Sequence, residues 1–171
     1  MALVPPQMVI NSRMLYFTWI PEDPEAVAAL THPDLRPIAN RQLFMNQYVV
    51  DADDQTSGFG SYSLTYAGPD LDRTAPDGQT PSRWWTHYFN SNPGMRDYVK
   101  ARGVPATPGR TTLELSGDTL VATTYSDDTP VIRATVNVGA PAGVGRGQLS
   151  YITDIGGRLV DGIYPFVATL V

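Results

Sequence analysis

Arg102-Gly103-Val104-Pro105-Ala106-Thr107-Pro108 leads, a few residues later, into Leu113-Glu114-Leu115-Ser116-Gly117-Asp118-Thr119-Leu120-Val121. The second half reads as a hairpin. Strand-forming residues flank Ser116-Gly117-Asp118, a turn sequence whose glycine tolerates the backbone that a tight reversal needs. The first half reads as a helix exit, with Gly103 as the stop. Outward from the hairpin, Ser126-Asp127-Asp128-Thr129 makes another turn, and Pro130–Val138 follows as a strand. Ile132, Ala134, Val136 and Val138 share one face of it, and Val131, Arg133, Thr135 and Asn137 the other. That alternation belongs to a strand lying between a core and something wetter.

The rest of the chain has the same grammar. Fifteen glycines and fifteen prolines punctuate 171 residues, and the segments between them are rich in Tyr, Val, Thr and Ile, which favours strands joined by turns. Further strands are expected at Met14–Ile20, Gln42–Val50, Gly60–Tyr66, Arg83–Phe89, Thr111–Leu115, Thr119–Tyr125, Gln148–Thr153 and Ile163–Leu170. Two short helices are expected. One starts on Asp23 as N-cap with Pro24 next, and the other on Asn92 with Pro93 next. Pro69–Pro81 reads as a loop or flap and Ala140–Gly147 as a flexible connection. There is no internal repeat, and residues 1–171 are expected to form one mainly β domain.

Composition removes several function classes. An apolar fraction of 42% and a charged fraction of 17% are those of a globular protein. A net charge of −5 argues against nucleic acid as a partner, since such binders carry a basic footprint. No stretch is long and apolar enough to span a membrane, and Met1-Ala2-Leu3-Val4-Pro5-Pro6 lacks the basic and apolar regions of a signal peptide. A cytoplasmic location is the expectation. Without cysteine there is no thiolate nucleophile or zinc–thiolate site. No dinucleotide loop, phosphate loop or His/Asp metal constellation is present, so neither cofactor nor metal is expected. Asp51–Asp54 lack the calcium-loop pattern and read as a solvated turn.

The opening stretch resembles the active-site segment of acetoacetate decarboxylases, in which a Tyr/Phe-Pro-Lys-Lys run precedes an Asp-Thr-Leu-Val strand at this distance. In that family the first lysine attacks the substrate ketone. Here its position holds Ala106 and the second lysine is Thr107. The chain has a single lysine, Lys100, among twelve basic residues, and it lies in the preceding helix pattern. The resemblance extends to Tyr16-Phe17, to Pro21–Leu30 with Pro33-Asp34-Leu35, to Thr56-Ser57-Gly58-Phe59-Gly60-Ser61-Tyr62, and to Asn90-Ser91-Asn92-Pro93. These fall in the family's order. The resemblance implies a curved antiparallel sheet closed into a cone or barrel around a small-molecule cavity, in an oligomeric protein. The departures are equally specific. The position of the family's catalytic glutamate is Leu64, and its arginine sits two residues before the Tyr-Phe pair whereas Arg13 sits three before Tyr16.

A barrel without the amine can still fold a flexible substrate into one conformer and stabilise developing charge with fixed donors. The expectation is therefore a cofactor-free enzyme of small-molecule, polyketide-type metabolism that catalyses cyclisation, isomerisation or dehydration. A non-catalytic carrier or sensor and a lysine-independent decarboxylase of a β-keto acid are the alternatives. Arg13 or Arg133 would polarise an oxygen, while Tyr62 and His87 would move a proton. Tyr16, Tyr66, Ala106, Tyr151 and one of Trp84 and Trp85 would line the cavity. Period-two alternation puts His87 with Trp85 and Arg83, and Trp84 opposite them; Arg133 faces either the lumen or solvent. His32 is expected at the surface, and Glu114 opposite Leu113 and Leu115. The apolar end Phe166–Val171 suggests a buried or paired strand, hence a homodimer.

Overall fold

The computed structural model describes residues 8–171, and Met1–Pro6 lie outside the described residues. Strands β1 (Arg13–Trp19), β2 (Leu43–Val50), β3 (Tyr62–Thr74), β4 (Pro81–Trp84), β10 (Gly143–Asp154) and β11 (Leu159–Leu170) lie side by side in that order in the main sheet. Two short strands, β5 (His87–Asn90) and β6 (Ala106–Pro108), extend it from β3. A second sheet is the meander β7 (Arg110–Ser116), β8 (Thr119–Ser126) and β9 (Thr129–Asn137), with the two expected hairpin turns. Its β7 and β8 lie across the outer face of β2 and β3. A buried hydroxyl layer joins them: Gln47 Nε2 donates to Thr124 Oγ1 at 3.0 Å, and Thr65 Oγ1 lies 2.6 Å from Thr124 Oγ1 and 2.7 Å from Thr111 Oγ1.

The helices start where the sequence places them. In α1 (Pro24–Ala29) the Asp23 carboxylate accepts from the backbone N–H of Glu25 and Ala26. In α2 (Pro93–Lys100) Asn92 accepts from that of Met95, a cap worth about 1 kcal/mol. Six and eight residues are too few to be helical alone, and α2 is held by burying Met95 and Val99 in the core. No helix among the described residues is long and apolar enough to cross a membrane.

Three expectations are corrected. The sheet is mixed rather than antiparallel, and among the described residues it is not closed. The pairs β4–β10 and β5–β6 run parallel, because each is joined by a crossover rather than a tight turn, and β1 and β11 are the two ends of the strand order. Pro69–Pro81 is not a loop throughout: β3 runs on to Thr74, where pairing to β4 outweighs the local turn signals. Only the following turn remains, held by the Asp77 carboxylate, which accepts from Gln79 N, Thr80 N and Thr80 Oγ1. Ala140–Gly147 is largely strand as well, because Leu170 and Phe166 of β11 lie over Gly145 and Gly147 and take the space of side chains there.

The most consequential difference is at Arg83–Phe89. This is two strands, β4 and β5, both antiparallel to β3 but out of register with each other, and the chain steps between them at Trp85-Thr86. Gly68 allows the step, since any Cβ there would collide with the Trp84 carbonyl.

Candidate active site

The concave face of the main sheet is assembled by alternation. Phe44, Asn46 and Tyr48 of β2 face inward with Tyr62, Leu64 and Tyr66 of β3. On β1, Met14 and Tyr16 stand opposite Tyr48 and Asn46 and so share this face. Trp85, Tyr88, Ala106 and Tyr151 complete the buried cluster. Trp85 stacks on Tyr151 with ring centroids 4.5 Å apart, and Tyr66 lies parallel to Tyr88 at 6.0 Å. Tyr16 and Tyr164, 36% and 46% exposed, are where the rings meet solvent. Each buried ring contributes roughly 1.5–3 kcal/mol, so this cluster holds the two halves of the sheet together.

Its polar atoms are arranged with one hydroxyl at the centre. The Tyr66 oxygen accepts from Asn46 Nδ2 at 2.9 Å and from the Tyr151 hydroxyl at 3.0 Å. With both of those donors spent on it, Tyr66 keeps its own hydrogen to give. Nearby, Asn46 Oδ1 and Trp85 Nε1 are buried, their residues only 4% and 5% exposed, with no hydrogen-bond partner among the described residues. Two orphaned groups of opposite polarity in one interior are costly unless something satisfies them.

A cation stands at the side of this group. Arg83 Nε donates to Asp70 Oδ1 at 2.9 Å, and Gln42 Nε2 donates to Asp70 Oδ2 at 2.6 Å. The guanidinium carbon lies 5.4 Å from the Phe44 ring centroid and 5.7 Å from that of Tyr16, within cation–π range. Burial raises the Tyr66 hydroxyl above the usual tyrosine range, while the hydrogen bonds from Tyr151 and Asn46 and the charge of Arg83 pull it back. Burial pushes Tyr16 up to about 12 against the same charge, and it holds Tyr151 well above its ordinary value.

Of the residues singled out from sequence, Tyr16, Tyr62, Tyr66, Trp85, Ala106 and Tyr151 come together here. Leu64, at the family's glutamate position, is also inside. Trp84 faces the other way, into a small cluster with Leu35, Leu71 and Ile152. Its ring meets that of His32, which is partly buried rather than at the surface. His87 does not share a face with Trp85 and Arg83: the step at Trp85-Thr86 turns it to the opposite side of the sheet, where it is exposed. Arg13 is exposed and gripped by Asp51, with Nη2 to Oδ1 at 2.8 Å, and the inward position two residues before Tyr16 belongs to Met14. Arg133 is exposed on β9; its neighbour Ile132 pairs with Thr124 and takes the side toward the main sheet. Glu114 and Lys100 are exposed. Sequence reasoning passed over Asn46, Asp70 and the role of Arg83. The available signals were an isolated Asn-Gln pair inside the apolar run of β2, and an arginine two residues before the inward Trp85.

A curved mixed sheet around an aromatic interior, flanked by a three-stranded meander and two short helices, defines the class. The fold is that of acetoacetate decarboxylase-like proteins. An acetoacetate decarboxylase structure superposes with a TM-score of 0.69 at 16% identity, over 89% of this chain and 62% of that one. The acetoacetate decarboxylase of Legionella pneumophila gives 0.66 at 14% identity, over 92% and 64%. The enduracididine biosynthesis enzyme MppR, solved in complex with pyruvate, gives 0.64 at 11% identity, over 93% and 70%. The chain thus spans a little under two thirds of the length of these decarboxylases. No protein-family model and no curated protein sequence matches it.

Proposed function

We propose that this chain is a small-molecule enzyme that works by acid catalysis from Tyr66, on a keto-type metabolite undergoing cyclisation, isomerisation or dehydration. The observation that carries this reading is the Tyr66 hydroxyl, which accepts two hydrogen bonds, retains its own proton and lies in the field of Arg83. A substrate carbonyl oxygen beside it takes that hydrogen bond and, as negative charge develops on the oxygen, the proton itself. The two donors behind Tyr66 and the Arg83 charge stabilise the negative charge that forms on the phenolic oxygen. Tyr151 stands ready to return a proton along the same line. Asn46 Oδ1 and Trp85 Nε1, unpartnered in the interior, offer an acceptor and a donor for fixing a hydroxylated or carbonyl-bearing substrate.

Schiff-base chemistry does not fit these residues, because Ala106 occupies the inward position on β6 and Lys100 is exposed at the end of α2. The oxygen-polarising role expected of Arg13 or Arg133 passes to Arg83, and the proton-moving role of His87 to Tyr66 and Tyr151. We also infer a homodimer, from the apolar residues Val167 and Leu170 left exposed on the sheet-end strand β11.

The test is metabolite profiling by high-resolution mass spectrometry of the native host with the gene intact, deleted, or carrying Tyr66→Phe or Arg83→Gln. An accumulated compound isomeric with the lost product indicates cyclisation or isomerisation, and a difference of water indicates dehydration. Loss of a general acid is worth roughly 100-fold or more in rate, so both variants should reproduce the deletion profile. Wild-type product levels from a folded Tyr66→Phe protein would overturn the assignment, and a ligand that returns unchanged would make the chain a carrier.

A further inference from the structure

The side of the main sheet away from the aromatic interior has a cleft of its own. It lies between α1, the outer face of the sheet and the start of β9, with a volume of about 390 Å³, inside the roughly 300–1,000 Å³ of small-molecule sites. Its walls are almost entirely apolar: Trp19, Leu30, Met45, Ala67, Phe89 and Val131. His87, turned outward by the step at Trp85-Thr86, is the one titratable side chain lining it among the described residues.

The hydrogen bonds around His87 fix what it offers. Thr86 Oγ1 donates its hydrogen to the Ala67 carbonyl at 3.1 Å. With that hydrogen so placed, the 3.0 Å contact between Thr86 Oγ1 and His87 Nδ1 is a donation from the ring in the Nδ1–H tautomer. In the neutral imidazole this leaves Nε2 as a lone-pair acceptor. Phe89 stacks on the ring, at 6.2 Å and 16°, and holds its plane.

We propose that this cleft is a second binding site, for a planar aromatic molecule bearing a phenolic hydroxyl. The flat portion lies among Trp19, Phe89 and Met45, and the hydroxyl donates to His87 Nε2. The aromatic walls select planarity, and the single acceptor in an apolar surround selects a donor over an ether or a hydrocarbon. The inference is independent of the reading of the interior.

The experiment titrates the isotopically labelled protein with 2-naphthol and, separately, with 2-methoxynaphthalene, which has the same bicyclic ring but no donor. Saturable shifts are expected at the Trp19 indole, Ala67 and Phe89. The methoxy compound should bind about 2- to 10-fold more weakly, the usual worth of one hydrogen bond. His87→Leu should erase that preference, and Ala67→Leu, which fills the floor, should abolish binding of both probes. Equal affinity of the two probes for the wild-type protein would overturn the proposal. So would shifts confined to Trp85 and Tyr151, an absence of saturation, or concentration-dependent shifts at the cleft without probe, which would make a second copy its occupant.

Discussion

Tyr66 and Tyr151 differ in what each leaves behind when its hydroxyl is removed. In Tyr66→Phe the shared acceptor disappears, so Asn46 Nδ2 and the Tyr151 hydroxyl both lose their partner in a buried setting. A stranded buried donor costs about 1–3 kcal/mol, which puts the variant at least about 2 kcal/mol below wild type. In Tyr151→Phe no donor is stranded, because Tyr66 still accepts from Asn46, and the loss is one net hydrogen bond of about 0.5–1.5 kcal/mol. The double variant strands only Asn46 Nδ2. It should therefore be more stable than the sum of the single effects predicts, by a coupling of about 1.5 kcal/mol or more. Urea unfolding of the four proteins measures this, with equal m-values confirming that only stability has changed. A Tyr151→Phe cost as large as that of Tyr66→Phe would refute the direction of the network. An additive cycle would refute the shared acceptor.

Other consequences are open to measurement. Burial raises Tyr16, Tyr48, Tyr62, Tyr66, Tyr88, Tyr151 and Tyr164 above their ordinary value of 10.0. Above that pH the unfolded chain binds fewer protons than the folded one, so the stability present below it is lost as pH rises through the raised values, at up to about 1.4 kcal/mol per pH unit for each buried tyrosine and less for the solvent-screened Tyr16 and Tyr164. Urea midpoints across this range should fall steeply while tyrosinate absorbance lags behind; early ionisation in a folded chain would contradict it. Ala106→Lys places an amine among buried rings, which depresses its pKa at a stability cost of several kcal/mol, on the order of that for burying a charge. Borohydride should trap it with a small ketone, and a lysine that stays unreactive would mean it escapes the interior. Sedimentation should show a dimer that Val167→Lys weakens, since a charge on an exposed sheet end opposes pairing; a wild-type chain monomeric at all concentrations would exclude it.

The resemblance read from sequence identified the fold without any similarity strong enough for a sequence match, because ordered short motifs survive where overall identity does not. The placement of individual charged side chains was less legible. Arg13 and Arg133 were plausible oxygen-polarising groups as residue types, yet one is tied to Asp51 at the surface and the other faces outward on β9. Arg83, in contrast, is held beside the aromatic interior by Asp70, thirteen residues earlier on a neighbouring strand.

What the sequence determined by itself is whatever depends on a few consecutive residues. The Asp23-Pro24 and Asn92-Pro93 helix starts, the Ser116-Gly117-Asp118 reversal and the alternation along Pro130–Val138 are all present as read. Each rests on a local hydrogen bond, a preset φ or a two-residue period, and none needs a distant partner. Only the tertiary structure decided where the chain breaks register along β3. Pairing to β4 keeps β3 extended past Pro69, and the missing side chain at Gly68 permits the step at Trp85-Thr86. That step separates Trp85 from His87, sending one to the aromatic interior and the other to the outer cleft. A period-two reading cannot register such a change, because the face a strand residue takes is set by the partner strand it joins.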